Sequence, residues 1–215
     1  MFASVRCYFV HRAPTSDLAE FVELEFADRI GGQPGFVSYA FVDSGDGEAM
    51  SVSVFTRPGE AAASRDLARR WTESMAPRLE LTATESRQGE LVVSRTAPEL
   101  ATATRGRHLS ARRYRLRGAD VGGLARIIDG AGGLADRVQA LDGFLGYHVL
   151  DCSGGDVVSI SIFRDAAAGA AFDALAAHAL REDLSGFHFD RTEMLGSGEL
   201  AVSRITPELL APLRA

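Results

Sequence analysis

The chain has 215 residues, of which 46% are hydrophobic and 24% charged, and it carries a net charge of -6. That length holds one large domain or two small ones, and that composition belongs to an ordinary globular protein. The acidic balance argues against nucleic acid as a partner, which needs cations gathered on one surface, and no apolar run approaches the roughly 18 residues of a membrane span.

The N-terminus MFASVRCYFV lacks a basic segment followed by an uninterrupted apolar stretch, so a cytoplasmic location is the expectation. Cys7 and Cys152 stand far apart with no CxxC and read as buried free thiols. All 23 basic residues are arginine, and asparagine is absent. The basic cluster from Arg105 to Arg117 reads as a solvated linker and strand edge.

In chain order, ASVRCYFVH is rich in β-formers, and SDLAEFVELEFADRI spaces Leu18, Phe21, Val22 and Phe26 as one helical face behind Ser16 or Asp17 as N-cap. GFVSYAFVDSGDGEAMSVSVFT gives two alternating runs joined by turn formers, a hairpin. GEAAASRDLARRWTESMAPRL predicts a helix with Leu67, Trp71 and Met75 on one stripe, and an extended segment ends in GELVVSR.

The order then repeats. At a shift of 108 residues, FADRIGGQPGFVSYAFVDSGDGEAMSVSVF from Phe26 lies over LADRVQALDGFLGYHVLDCSGGDVVSISIF from Leu134. GELVVSRTAPEL from Gly89 matches GELAVSRITPEL from Gly198, and Arg6 and Tyr8 lie over Arg112 and Tyr114. Each half reads βαββαβ, the ferredoxin-like unit, which predicts an α+β protein with a first unit over 1–100, a linker over 101–108 and a second unit over 109–215. One such sheet has helices on a single face, so the two halves are expected to pack sheet to sheet as a pseudo-dimeric α+β barrel, an intramolecular pseudo-dimer that exists as a monomer or as a further homodimer.

With PGF or DGF entering the second strand, VVSISIF in the third, RRW on the helix and GELVVSR at the close, the chain resembles the antibiotic biosynthesis monooxygenase family, as a tandem fusion. The resemblance implies a dimeric α+β barrel, a ligand pocket between each sheet and its helices, and a small-molecule aromatic ligand. It implies a cofactor-independent monooxygenase acting on an aromatic or polyketide-like substrate, with two alternatives: a non-catalytic ligand-binding or stress-related protein of the same fold, and a haem-binding protein. The haem-degrading branch uses an Asn on the first strand, a Trp near the second helix and a His about ten residues further on. Here asparagine is absent, Leu81 follows Trp71 at that distance, and His178 and His188 in half two have no Trp.

Oxidation without a cofactor needs polarising donors or a base within an aromatic-walled, water-shielded cavity. The catalytic candidates are Trp71, His148 and Tyr147; Tyr8, Tyr39, Tyr114, His178 and His188 are candidates to contact substrate. Tyr8 matches Tyr114 and Tyr39 matches Tyr147, which suits packing as well as function. His148 replaces Ala40 of half one, so the fold does not obviously require it. If Val52, Val54, Ile160 and Ile162 face the helices, alternation turns Ser51, Ser53, Ser159 and Ser161 toward the partner half.

GAGGLA from Gly130 matches a dinucleotide fingerprint in letters only, because the repeat sets it inside a helix. Its glycines predict a broken helix within 122–138, opening the mouth of a pocket in half two. Asp28 with Arg29 and Asp136 with Arg137 are expected as solvated helix-end pairs, and Asp43 and Asp151 as hairpin-turn residues. The five histidines offer no HExxH, HxH or nearby Cys pair, so no metal site is expected.

Overall fold

The computed structural model describes residues 1–102, 106–118 and 120–211. Half one runs β1 (Phe2–Val10), α1 (Thr15–Phe21), a π-helical stretch (Val22–Phe26), α2 (Ala27–Gly31), β2 (Phe36–Gly45), β3 (Glu48–Phe55), α3 (Pro58–Leu79) and β4 (Leu81–Thr96). Half two follows with β5 (His108–Arg117), α4 (Val121–Asp129), α5 (Leu134–Gln139), β6 (Phe144–Asp151), β7 (Asp156–Phe163), α6 (Ala166–Arg181) and β8 (His188–Ile205). Among the described residues no helix is long and apolar enough to cross a membrane.

The eight strands form one closed, wholly antiparallel barrel in the order β1-β3-β2-β8-β5-β7-β6-β4, with β4 returning to β1. The halves therefore meet through hydrogen-bonded edges as well as through packed faces, and the strand order closes on itself. Two long strands make the closure. β4 pairs with β1 over Leu81 to Glu90 and then with β6 over Glu90 to Thr96, while β8 pairs with β5 and then crosses to β2 over Glu199 to Ile205. The repeated phrase GEL(V/A)VSR is the crossing segment in both halves.

Short 3-10 turns, Pro98–Ala101 and Pro207–Leu210, follow each crossing and press Leu100 and Leu209 into the barrel core. Arg95 then pairs with Asp129, and Arg204 with Glu23 and Asp28, across the halves. Asp28 thus serves the crossing strand and not Arg29. Arg137 pairs with Asp183, and Asp136 accepts from the Gly132 amide, so the helix-end pairs expected for these acids do not form. Asp43 and Asp151 do cap their turns, accepting from the amides of Gly45 and Ser153 at 2.9 and 2.8 Å.

Of the linker expected over 101–108, residues 103–105, including Arg105, lie outside the described residues. Arg107 is not solvated: it is 4% exposed and donates to the carbonyl oxygens of Leu100 and Glu99 at 2.7 and 2.8 Å, tying half two to the end of half one. Arg113 is likewise drawn inward, held by Asp156 at 3.0 Å beside Glu85 and Glu193.

The strand faces are the reverse of the expected arrangement. Val52, Val54, Ile160 and Ile162 point into the barrel with Ala3, Val5, Leu109 and Leu150, so Ser51 and Ser159 lie on the helix side. The physical reason is volume. An eight-stranded barrel has an interior that side chains of valine and isoleucine size fill, whereas the wider layer beneath the helices takes Tyr39, Phe41, Tyr147 and Phe163.

The first helix of half two is interrupted, as its glycines require. A Cβ on Gly133 would stand 2.5 Å from the Ile127 carbonyl oxygen, so the return of the chain after α4 admits only glycine there. Half one bridges the same region with the π-helical stretch, which sequence periodicity does not reveal.

Candidate functional site

Among the described residues this packing leaves a space beneath the helices of each half and another inside the barrel. Beneath the half-one helices lies a narrow cavity. Its floor is the outer face of β1 and β2, where alternation lifts Tyr8, Tyr39 and Phe41. Its roof comes from Leu18, Val22 and Phe26 on the first helix and from Ala68 and Trp71 on α3. The π-helical stretch supplies Val22 and Phe26 to this roof, a common placement for such bulges.

The aromatic rings pack on one another. Phe26 lies 5.0 Å from Trp71 and 5.5 Å, edge to face, from Tyr39. The Tyr8 and Ser51 hydroxyls are 3.4 Å apart, a long hydrogen bond. Burial pushes the Tyr39 hydroxyl well above the usual phenol range; Tyr8 adds to this, while the Arg6 guanidinium and Ser51 pull the other way. Tyr39 is therefore a donor at neutral pH, not a base.

The half-two cavity is lined by Tyr114, Tyr147, Phe172 and Phe189 with Leu124 and Leu134 from either side of the helix break. Burial raises both tyrosines, Tyr147 strongly. Arg112, on the same face as Tyr114, is paired with Asp173 of α6 at 2.8 Å.

Inside the barrel a small gap remains, walled by Val52, Val54, Leu150, Ile160 and His148. Register puts His148 opposite Ile160 and turns it inward, where its Nδ1 meets the Ser94 hydroxyl at 2.9 Å. Burial lowers its pKa to about 4, so the ring is neutral at pH 7.

The catalytic candidates therefore do not converge. Trp71 belongs to the half-one cavity, Tyr147 to the half-two cavity and His148 to the barrel interior. Tyr8 and Tyr39 join Trp71, and Tyr114 joins Tyr147, whereas His178 and His188 are exposed on the outer surface. Haem needs an axial ligand facing a cavity; neither exposed histidine lines one of these cavities, and His148 is committed to Ser94 in the barrel, so these residues do not fit that group.

One residue of the half-one site was missed by sequence reasoning. Arg6 alternates with Val5 and Cys7 of the barrel core, so its side chain lies under the helices, and it is 5% exposed. The available signal was an arginine at matching positions in both halves, set between apolar residues of a buried strand.

No family model and no curated protein matches this sequence. Solved structures do. A provisionally assigned monooxygenase of Fusobacterium nucleatum superposes with a TM-score of 0.66 at 9% identity, over 95% of this chain and 97% of that one. A provisionally assigned monooxygenase of Lactobacillus acidophilus gives 0.62 at 12%, over 95% and 97%. An anthrone oxidase-like protein gives 0.58 at 15%, over 98% of this chain and 95% of that one. The chain has the dimeric α+β barrel fold, folded from one polypeptide.

Proposed function

We propose that the half-one cavity binds a compact aromatic or polyketide-like molecule and that the protein acts on it as a cofactor-independent monooxygenase. The observation that carries this reading is the aromatic wall of Trp71, Phe26, Tyr39, Tyr8 and Phe41. Such a wall offers aromatic faces to a flat ring and sheds water, and the tyrosine hydroxyls are available as donors. The names of the structural neighbours support it as analogy of fold.

For an anthrone-type substrate, loss of the acidic C–H proton gives an enolate that transfers an electron to O2. One oxygen atom is kept as the new carbonyl, and the other leaves as water with the two hydrogens lost from that carbon. Tyr39 and Tyr8 stabilise the developing oxyanion as donors, and Trp71 holds the ring. With two free thiols, a reducing cytoplasmic setting suits the chain.

The test is oxygen consumption with dithranol, an anthrone, together with emission from Trp71, the sole tryptophan. The reading predicts about one O2 per anthrone, quenched emission, and a rate lowered at least tenfold by Trp71→Phe. Quenching without oxygen uptake would make the protein a binding protein, and no response in either would end the reading.

A further inference from the structure

In half one a guanidinium is buried without a partner, and in half two its counterpart has one. Arg6 makes no hydrogen bond through Nε or either terminal nitrogen to any described residue, although the side chain is 95% buried by its 5% exposure. Arg112 at the matching position of β5 is paired with Asp173. The position of α3 that matches Asp173, 108 residues earlier, is Arg65, which is exposed. Half one therefore lacks the acid that neutralises this site in half two.

Strand register fixes where the unpaired charge stands. Arg6 lies in one cross-strand row with Ser51 and Phe41, between the row of Tyr8 and Ala49 and the row of Ser4, Ser53 and Tyr39. Tyr8, Phe41 and Tyr39 all line the cavity, and register sets Arg6 on the same face of the sheet in the row between Tyr8 and Tyr39. The Ser4 and Ser53 hydroxyls beside it and Trp71 Nε1 opposite are also buried without a partner. Four side chains of the layer between this sheet and its helices, all with hydrogens to donate, are thus left unsatisfied.

A guanidinium keeps its charge inside proteins and is costly to bury unpaired. The state in which it is compensated is one with an anion in the cavity. Its planar fork matches a carboxylate in two parallel hydrogen bonds, and the lining of the cavity is aromatic. We propose that the half-one cavity selects an aromatic carboxylic acid, its carboxylate on Arg6 with Ser4 and Ser53, and its ring against Trp71 and Tyr39. This rests on the reading of that cavity as the ligand pocket and adds the charge of the ligand to it.

The experiment compares benzoate with benzamide, a neutral near-isostere, by calorimetry and Trp71 emission on the whole chain at pH 7. Charge-assisted pairing to a buried partner predicts that benzoate binds about 10- to 100-fold more tightly. Arg6→Gln removes the difference, Arg6→Lys restores part of it, and Arg112→Gln leaves it intact. Equal affinity of the two probes overturns the anion selectivity while leaving the pocket reading standing. Binding of neither probe also overturns it, and the dithranol experiment then decides separately whether the cavity takes a ligand. Because the probe comparison is made first in the unaltered protein, a variant that fails to fold does not obscure the result.

Discussion

Gly89 lies so close to Asp151 that a Cβ at position 89 would stand 2.3 Å from the Asp151 carbonyl oxygen, and Gly198 bears the same relation to Asp43, at 1.9 Å. These are the points where β4 and β8 leave their own half and pair with the other. The glycine of the repeated phrase is there because two backbones touch. Gly198→Ala is expected to destabilise the protein by about 1–3 kcal/mol or more through overpacking that backbone cannot relieve. Gly59→Ala, in a helical turn with open space, is expected to leave stability unchanged or raise it by up to about 1 kcal/mol. Urea denaturation of the two variants checks the contrast.

The 3-10 turns after each crossing close one end of the barrel with a leucine. Leu209 is 3% exposed and packs in the barrel core, so Leu209→Ala is expected to cost about 2–5 kcal/mol. Removing Arg204, whose ion pairs with Glu23 and Asp28 are partly exposed, is expected to cost less than about 1 kcal/mol per pair. Thermal denaturation of Leu209→Ala beside Arg204→Ala ranks core closure against surface pairing.

His148 makes stability depend on acid. Its folded pKa, lowered to about 4, lies below the unfolded value of 6.5, so between these limits the unfolded chain binds more protons. Stability is then complete above pH 6.5 and falls as the pH drops toward 4, by on the order of 2–3 kcal/mol. His148→Ala, which copies Ala40, is expected to flatten this part of the pH profile. A melting-temperature series from pH 7 to pH 4 tests it.

Tyr39, Tyr114 and Tyr147 are held above their ordinary range by burial, so their stabilising contribution is intact below pH 10 and is lost as pH rises beyond it. Absorbance titration of the native protein is expected to show these three of the four tyrosines silent near pH 10. All four should titrate there in denaturant. Native ionisation of these three near pH 10 would contradict the burial that holds them above it.

The βαββαβ order and the barrel were legible because the phrase beginning at Gly89 returns at Gly198 and the two hairpins carry matching turn acids. The facing of SVSVF was not. Both sides of β3 are buried, one against the barrel and one against helices, so alternation gives two faces without saying which is which. The position of His148 hung on the same register. Arg6 escaped notice because an arginine in a strand ordinarily reaches solvent, and only the packing of α3 over β1 shows that this one does not. The π-helical stretch over Val22–Phe26 was hidden because one extra residue per turn barely alters the apolar spacing.

Closure of one barrel by two crossing strands is the claim on which the cavities and their roles depend, since the crossings set which face of each sheet meets the helices. Amide hydrogen exchange over residues 91–96 and 200–205 tests it most directly. In the closed barrel these amides pair with β6 and β2, and the hydrogen-bonded ones are expected to exchange only on global unfolding. Exchange at the rates of an open sheet edge would contradict the closed barrel, and with it the site built on Arg6 and Trp71.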